Sequence, residues 1–173
     1  ARHSNFRAIH FKKHAGQTAA MDAGFKHACG KYIVSMDADM QNDPADIPKL
    51  LEKLHLYDMV CGWRQKRNDP WIKRISSTVA NFIRNKVSQE NIKDTGCSLK
   101  AYRRECLHRI RLYNGMHRFL PTLFKMEGFT VTEIIVNHYR SKFGKSKYGI
   151  SNRALRAFTD LLAVRWMKKR NLH

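Results

Sequence analysis

Tyr32-Ile33-Val34-Ser35-Met36-Asp37-Ala38-Asp39-Met40-Gln41-Asn42-Asp43-Pro44 is the stretch on which the reading of this chain turns. Tyr32 to Met36 is a short apolar run with β-branched residues, set between Gly30 and a group of acids, which is the pattern of a buried strand. The carboxylates then fall at the strand's C-terminal end, the edge at which open α/β sheets bind ligands. Asp37 and Asp39 are two residues apart and point the same way in extended chain, with Gln41 next on that side. Two or three hard oxygen ligands beside an open position suit Mg²⁺ or Mn²⁺, which complete their shells with water and substrate phosphates. A plainer reading has the acids cap the following helix. It accounts for Asp43, which precedes Pro44 at a first helical position and has Asp46 three residues on. It leaves Asp37, Asp39 and Gln41 without a role.

A chain of 173 residues is long enough for one domain with a real core. It carries 33 Lys and Arg against 14 Asp and Glu, a formal charge of +19, which calls for a polyanionic surface or substrate. The basic residues are spread among Trp, Tyr and Leu rather than gathered in a tail, so a disordered nucleic-acid arm is not expected. Cys29, Cys61, Cys97 and Cys106 form no Cys-x-x-Cys and no zinc spacing, so free thiols in a reducing compartment are expected. No apolar run approaches the ~20 residues of a membrane span, and no signal peptide is read at the start. The expected location is cytoplasmic, or on a membrane surface.

Along the chain, Phe6 to Phe11 reads as a strand, and a helix follows from about Gln17 to Gly30, its small residues Ala19, Ala20, Ala23, Gly24 and Ala28 suited to close packing on a sheet. A helix from Pro44 to Leu54 and a strand from Asp58 to Trp63 come next. This alternation predicts an α/β domain with a mostly parallel sheet. Beyond Gln65 come a basic loop, a helix from Ile72 to Val87, a turn at Lys93 to Cys97 and a strand from Ser98 to Tyr102. Helices at Arg103–Arg111 and His117–Glu127, a strand at Thr130–Asn137 and a loop rich in glycine and cations at His138–Gly149 follow. A cationic loop of that kind suits a ligand carrying a diphosphate. The last helix, Asn152 to Arg170, sets Leu155, Phe158, Leu161, Leu162 and Trp166 on a broad apolar side beside Arg153, Arg156, Arg165, Lys168, Lys169 and Arg170. It reads either as a core helix with a solvated basic edge or as an interfacial helix at an anionic bilayer.

Six motifs fall in one order: Gly-Gln-Thr-Ala-Ala (16–20), Asp-Ala-Asp-Met-Gln-Asn-Asp-Pro (37–44), Gly-Trp-Arg (62–64), Lys-Asp-Thr-Gly-Cys-Ser-Leu-Lys (93–100), His-Arg-Phe-Leu-Pro (117–121) and Phe-Gly-Lys-Ser-Lys-Tyr-Gly (143–149). Together they resemble the family 2 glycosyltransferases that act on polyprenyl phosphate, the dolichol-phosphate mannosyltransferase-like group, over nearly the whole chain. The resemblance implies a GT-A type, Rossmann-like fold over residues 1–151, present in part, and a basic amphipathic helix at residues 152–173. It implies an inverting transfer from a nucleotide sugar to a dolichol- or undecaprenyl-type phosphate, dependent on Mg²⁺ or Mn²⁺, at the cytoplasmic face of a membrane. Position by position, Asp37, Asp39 and Gln41 match the metal and donor-phosphate motif. Asp39, Asp94 and Arg118 match catalytic positions, with Asp94 among the acids lining the sugar and acceptor site. Arg118, with Arg140, Lys142, Ser146 and Lys147, matches the donor-binding cleft and its closing loop. Arg64, Lys73, Arg74 and Ser77 match the region that holds the acceptor phosphate.

The chain departs from that family in two places. Relatives open with a strand ending in a Pro-x-Tyr-Asn-Glu-like motif and a second ending in an Asp-Asp-Gly-Ser-like motif, both nucleotide-holding. Neither is present here, so a fragment of a longer protein is expected. In the closing loop, Ser141 stands where many relatives have Arg, with Arg140 and Lys142 on either side, and bidentate Arg geometry is not interchangeable with Lys. Three other functions compete. A nucleic-acid binder fits the charge, but Asp37, Asp39 and Asp94 would repel phosphates without a metal and no recognition motif is present. A two-metal phosphohydrolase needs more carboxylates or histidines than cluster here. A family 2 transferase with a sugar hydroxyl acceptor needs a base, and Asp94 is the candidate. His117 and His138 read as structural groups rather than metal ligands, and Trp63 and Trp71 as packing or lipid-facing residues.

Overall fold

The computed structural model describes residues 5–65, 92–139 and 150–171, with side chains in the last segment from Phe158 onward. Helix α1 spans Gln17–His27, strand β1 Tyr32–Ser35, a 3-10 turn Pro44–Asp46, helix α2 Ile47–Lys53 and strand β2 Met59–Trp63. Strand β3 spans Lys100–Arg103, helix α3 Arg104–Leu107, a second 3-10 turn Met116–Phe119, helix α4 Leu120–Met126, strand β4 Val131–Ile135 and helix α5 Ile150–Arg170. The helix expected at Ile72–Val87 lies outside the described residues.

The four strands among the described residues form one sheet in the order β1-β3-β2-β4. β1, β2 and β4 run the same way, as the α/β alternation leads one to expect. β3 returns between β1 and β2 and opposes both, so the sheet is mixed rather than mostly parallel: two of its three pairings are antiparallel. Ser35 faces Lys100 across β1 and β3, and Cys61 faces Lys100 from the other side. Period-two alternation sorts the side chains. Ile33, Met59, Cys61 and Tyr102 pack on one face with Leu107, Leu120 and Phe124, and Met21 and Phe25 of α1 lean on that cluster. Val60, Leu99 and Ala101 pack on the other with Leu50 and Leu54 of α2. A third cluster joins Met116, Phe119 and Leu123 to Leu161 and Val164 of α5, which docks the C-terminal helix beside the second 3-10 turn.

Two expectations are corrected. Phe6 to Phe11 is not a strand but an exposed irregular segment, with Phe6 80% exposed. A strand needs a neighbour for its backbone donors and acceptors, and none of the described residues supplies one. Of the small residues expected to pack closely on the sheet, Ala28 leans on the cluster of Tyr102 and Phe124, whereas within α1 only Thr18 is buried and a Cβ on exposed Gly24 would meet nothing within 4 Å.

Candidate active site

The C-terminal end of β1 is where the acids leave the sheet. Extension stops there, because the chain bends at Ala38–Met40 and Met40 takes a positive φ of 59°. The bend is closed by Asp39, whose Oδ1 accepts from the Gln41 backbone N at 3.1 Å, a turn that Asp side chains favour. Asp37 stays exposed and accepts from Gln17 Nε2 at 3.3 Å. The Gln41 amide nitrogen donates to the Tyr139 carbonyl at 3.5 Å. Asp43 caps the first 3-10 turn, accepting from the Ala45 N–H at 3.0 Å, and that bond, with the Tyr139 hydroxyl next in weight, holds its carboxyl below the usual range. Asp46, the neighbour expected to share in that helix start, is fully buried and accepts from the Asn137 N–H at 2.6 Å, tying α2 to the end of β4.

A cavity of about 300 Å³ opens beside Asp37. Four pieces of chain make its wall: Gln17 and Met21 of α1, Ser35 to Asp37, the turn Thr95–Ser98 with Lys100, and His117 with Arg118. Lys100 is 4% exposed and donates to the carbonyls of Thr95 and Cys97, so its ammonium pulls the turn's carbonyls inward. Glu133 of β4 takes the other polarity of the same turn, accepting from the backbone N–H groups of Lys93 at 2.8 Å and Asp94 at 3.0 Å. The cation on the carbonyls and the anion on the amides together fix where Thr95 to Ser98 stand. Neither Lys100 nor Arg118 has an acidic partner among the described residues, so this wall presents positive charge to whatever enters.

Asp94 lies behind that wall. It is 3% exposed and gripped by Arg64, whose Nε donates to Oδ2 at 2.7 Å and Nη2 to Oδ1 at 3.0 Å. Two residues to which the resemblance gives separate tasks are thus joined in one bidentate pair. The structure brings Asp37 and Arg118 together at the cavity and sets Asp39 and Gln41 in the adjoining bend. Lys73, Arg74, Ser77, Arg140, Ser141, Lys142, Ser146, Lys147 and Trp71 lie outside the described residues. His117, read from the sequence as structural, lines the cavity. Its signal was its place next to Arg118.

The donor set fits a hard divalent ion only in part. Asp37 offers carboxylate oxygens at the cavity and Asp39 stands in the adjoining bend with Oδ1 engaged by the Gln41 N–H, and no group of three or more His, Cys, Asp or Glu gathers among the described residues. Such a site leaves most of the ion's shell to water and ligand oxygens, as Mg²⁺ and Mn²⁺ accept. Gln41 is the weak member, since its amide is turned to Tyr139.

A family model for glycosyl transferase family 2 matches residues 1–111. The dodecaprenyl-phosphate galacturonate synthase of Rhizobium johnstonii is 39% identical over 163 residues, covering 91% of this chain and 48% of that protein. Glucosyl-3-phosphoglycerate synthase from Mycobacterium tuberculosis, solved with phosphoglyceric acid, is similar in fold, with a TM-score of 0.63 at 11% identity over 91% of this chain and 56% of that one. A second structure of that enzyme, holding Mn²⁺, uridine diphosphate and phosphoglyceric acid, gives a TM-score of 0.63 at 12% identity over 90% of this chain and 54% of that one. The chain therefore spans about half the length of the proteins it matches. The likeness to the solved structures is one of fold, the GT-A type of α/β fold.

Proposed function

We propose, from the premise that this chain belongs to glycosyl transferase family 2, that it carries out inverting transfer of a sugar from a nucleotide-sugar donor to a polyprenyl phosphate. The observation that carries the reading is the cavity at the end of β1, which Asp37, Arg118 and Lys100 line together. The 39% identical relative, named for a dodecaprenyl-phosphate product, supports the acceptor class. The Mn²⁺ and uridine diphosphate held by the similar fold support the donor class.

A phosphate monoester is largely ionised near neutral pH, so the acceptor attacks without a base. Its oxygen bonds to the anomeric carbon as the bond to the diphosphate breaks, and attack from the opposite face inverts that carbon. The protein's task is alignment and charge. Asp37 and Asp39 would hold the divalent ion, which supplies neutralisation of the leaving diphosphate. Arg118 and Lys100 place fixed positive charge along the same wall. The competing acceptor, a sugar hydroxyl, would need a base, and Asp94 is buried behind the wall in the grip of Arg64 rather than exposed to the cavity.

Residues 1–151 are read as the transferase part and 152–173 as the part that meets the membrane, at its cytoplasmic face. Phe158, Leu162 and Trp166 recur every four residues on α5 and are 50%, 46% and 64% exposed. Arg165, Lys168, Lys169 and Arg170 stand beside that stripe. An apolar stripe with a basic rim suits the surface of an anionic bilayer, where the acceptor resides. No helix of the described residues is long and apolar enough to cross a membrane.

Calorimetry of nucleoside diphosphates with and without Mn²⁺ tests the reading. Binding is expected to require the ion and to weaken at least about tenfold in Asp37→Ala and Asp39→Ala, followed by transfer of labelled sugar to undecaprenyl phosphate. A folded chain that binds no nucleoside diphosphate with the ion present removes the reading.

A further inference from the structure

Thr18 is the buried member of the Gly-Gln-Thr-Ala-Ala motif. It is 4% exposed, and its hydroxyl oxygen accepts from the Gly115 N–H at 3.0 Å. The same hydroxyl lies 2.7 Å from His117 Nδ1. A hydroxyl has one hydrogen to give, and a buried one leaves it unused only at a cost of about 1–3 kcal/mol. Among the described residues His117 Nδ1 is the acceptor within reach. The hydroxyl hydrogen therefore goes to Nδ1, which must be the bare nitrogen, and the ring's own hydrogen sits on Nε2. His117 lines the cavity while Nδ1 is turned to α1, so Nε2–H is the end left for the cavity.

We propose that Thr18 is a positioning residue which locks His117 as a neutral Nε2–H hydrogen-bond donor, and that this donor contacts a phosphate or diphosphate oxygen of the ligand beside Arg118. The inference deepens the transferase reading and rests on it for the identity of the ligand, but not for the state of the ring.

The surroundings agree. Burial first, then the charges of Arg118 and Lys100, lower the imidazole from its usual 6.5 to about 4, so the ring is neutral at physiological pH. Thr18 of α1 touches the ring, and Gln17 and Met21 of α1, Lys100 of β3, Arg118 on its own turn and Asp37 at the end of β1 line the same cavity. Asp160 of α5 lies against Gly115 on the far side of the turn. A neutral donor between two cations adds a directed bond to an anionic oxygen without a third charge to keep desolvated in the empty cavity. A charged histidine there would repel both neighbours.

Nitrogen-15 spectra of the histidine rings in the full chain at pH 7 test the first half, with His117→Gln used to assign the signals. The expected spectrum shows His117 neutral with its hydrogen on Nε2. Thr18→Val, which keeps the shape and removes the hydroxyl, should spread the ring over both tautomers. An imidazolium, an Nδ1–H ring, or a tautomer indifferent to Thr18→Val overturns the lock. For the second half, two probes are titrated with Mg²⁺ present: uridine diphosphate for the donor end and geranyl phosphate for the acceptor end. Glutamine places an N–H where Nε2–H stood and phenylalanine does not. His117→Phe should therefore lose about tenfold in affinity for one probe, and His117→Gln should stay within about threefold of the unaltered chain. The probe that responds identifies the phosphate contacted. Equal losses in both variants, or none, overturn the contact. If neither probe binds the folded chain, the contact and the transferase reading fall together, and the ring spectra still decide the lock.

Discussion

Arg64 and Asp94 show what single residues could and could not reveal. The Asp-Thr-Gly-Cys turn is legible in the sequence, because its residue types favour tight turns. That Asp94 would be met bidentately by an arginine thirty positions earlier is not, since the partner is chosen by how the end of β2 is brought against the turn. With Arg64 and Asp94 side chains 12% and 5% exposed, removing the guanidinium takes both of its charge-assisted bonds from a buried carboxylate. Arg64→Ala should cost about 3 kcal/mol in urea denaturation. Replacing both, as Arg64→Met with Asp94→Leu, should cost less than that single change. A cost for Arg64→Ala below about 1 kcal/mol would mean that the pair behaves as a solvent-screened surface bridge. The strand-end acids were readable as a group from their spacing. The tie of Asp39 to its own bend was hidden, because it depends on the turn at Met40, a backbone conformation the residue types did not announce.

Elements with a strong local signal stand where the sequence put them. β1 follows from its apolar run, the Asp43 cap from its Pro44 and Asp46 neighbours, and the stop after α4 from Gly128, which takes a φ of 81°. The position of β3 did not follow. Strand order is a matter of long-range pairing, and an alternating helix and strand pattern carries no mark of the one segment that returns between two others. The second 3-10 turn, which carries His117 and Arg118, is set by Gly115 at a φ of 88°. A Cβ there would meet the carboxylate of Asp160, whereas a Cβ on Gly128 would meet nothing within 4 Å. Gly115→Ala should therefore lower stability by about 2 kcal/mol, against about 1 kcal/mol for Gly128→Ala, whose cost is conformational alone. In an Asp160→Ala background the difference between the two glycines should vanish from the melting curves. If it persists, contact with α5 is not what makes Gly115 demanding.

For the molecule as a whole, the charge of +19 points to a polyanionic partner without giving its address. The structure separates a cationic cavity wall at the end of β1 from a basic-rimmed apolar stripe on α5, and composition cannot divide one excess between two surfaces. Sedimentation with vesicles tests the second. Binding to phosphatidylglycerol vesicles and not to phosphatidylcholine is expected, with loss near 0.5 M salt, where the screening length falls to roughly 4–5 Å. Phe158→Ala with Trp166→Ala should weaken that binding while leaving uridine diphosphate affinity unchanged. Equal binding to both lipids would rule out an electrostatic surface. The helix that carries the stripe is also the one whose Asp160 fills the space Gly115 leaves empty, one turn of chain from His117 and Arg118. A shift of that helix would press or relieve the start of their turn, so the exposed stripe and the cavity wall share one mechanical contact.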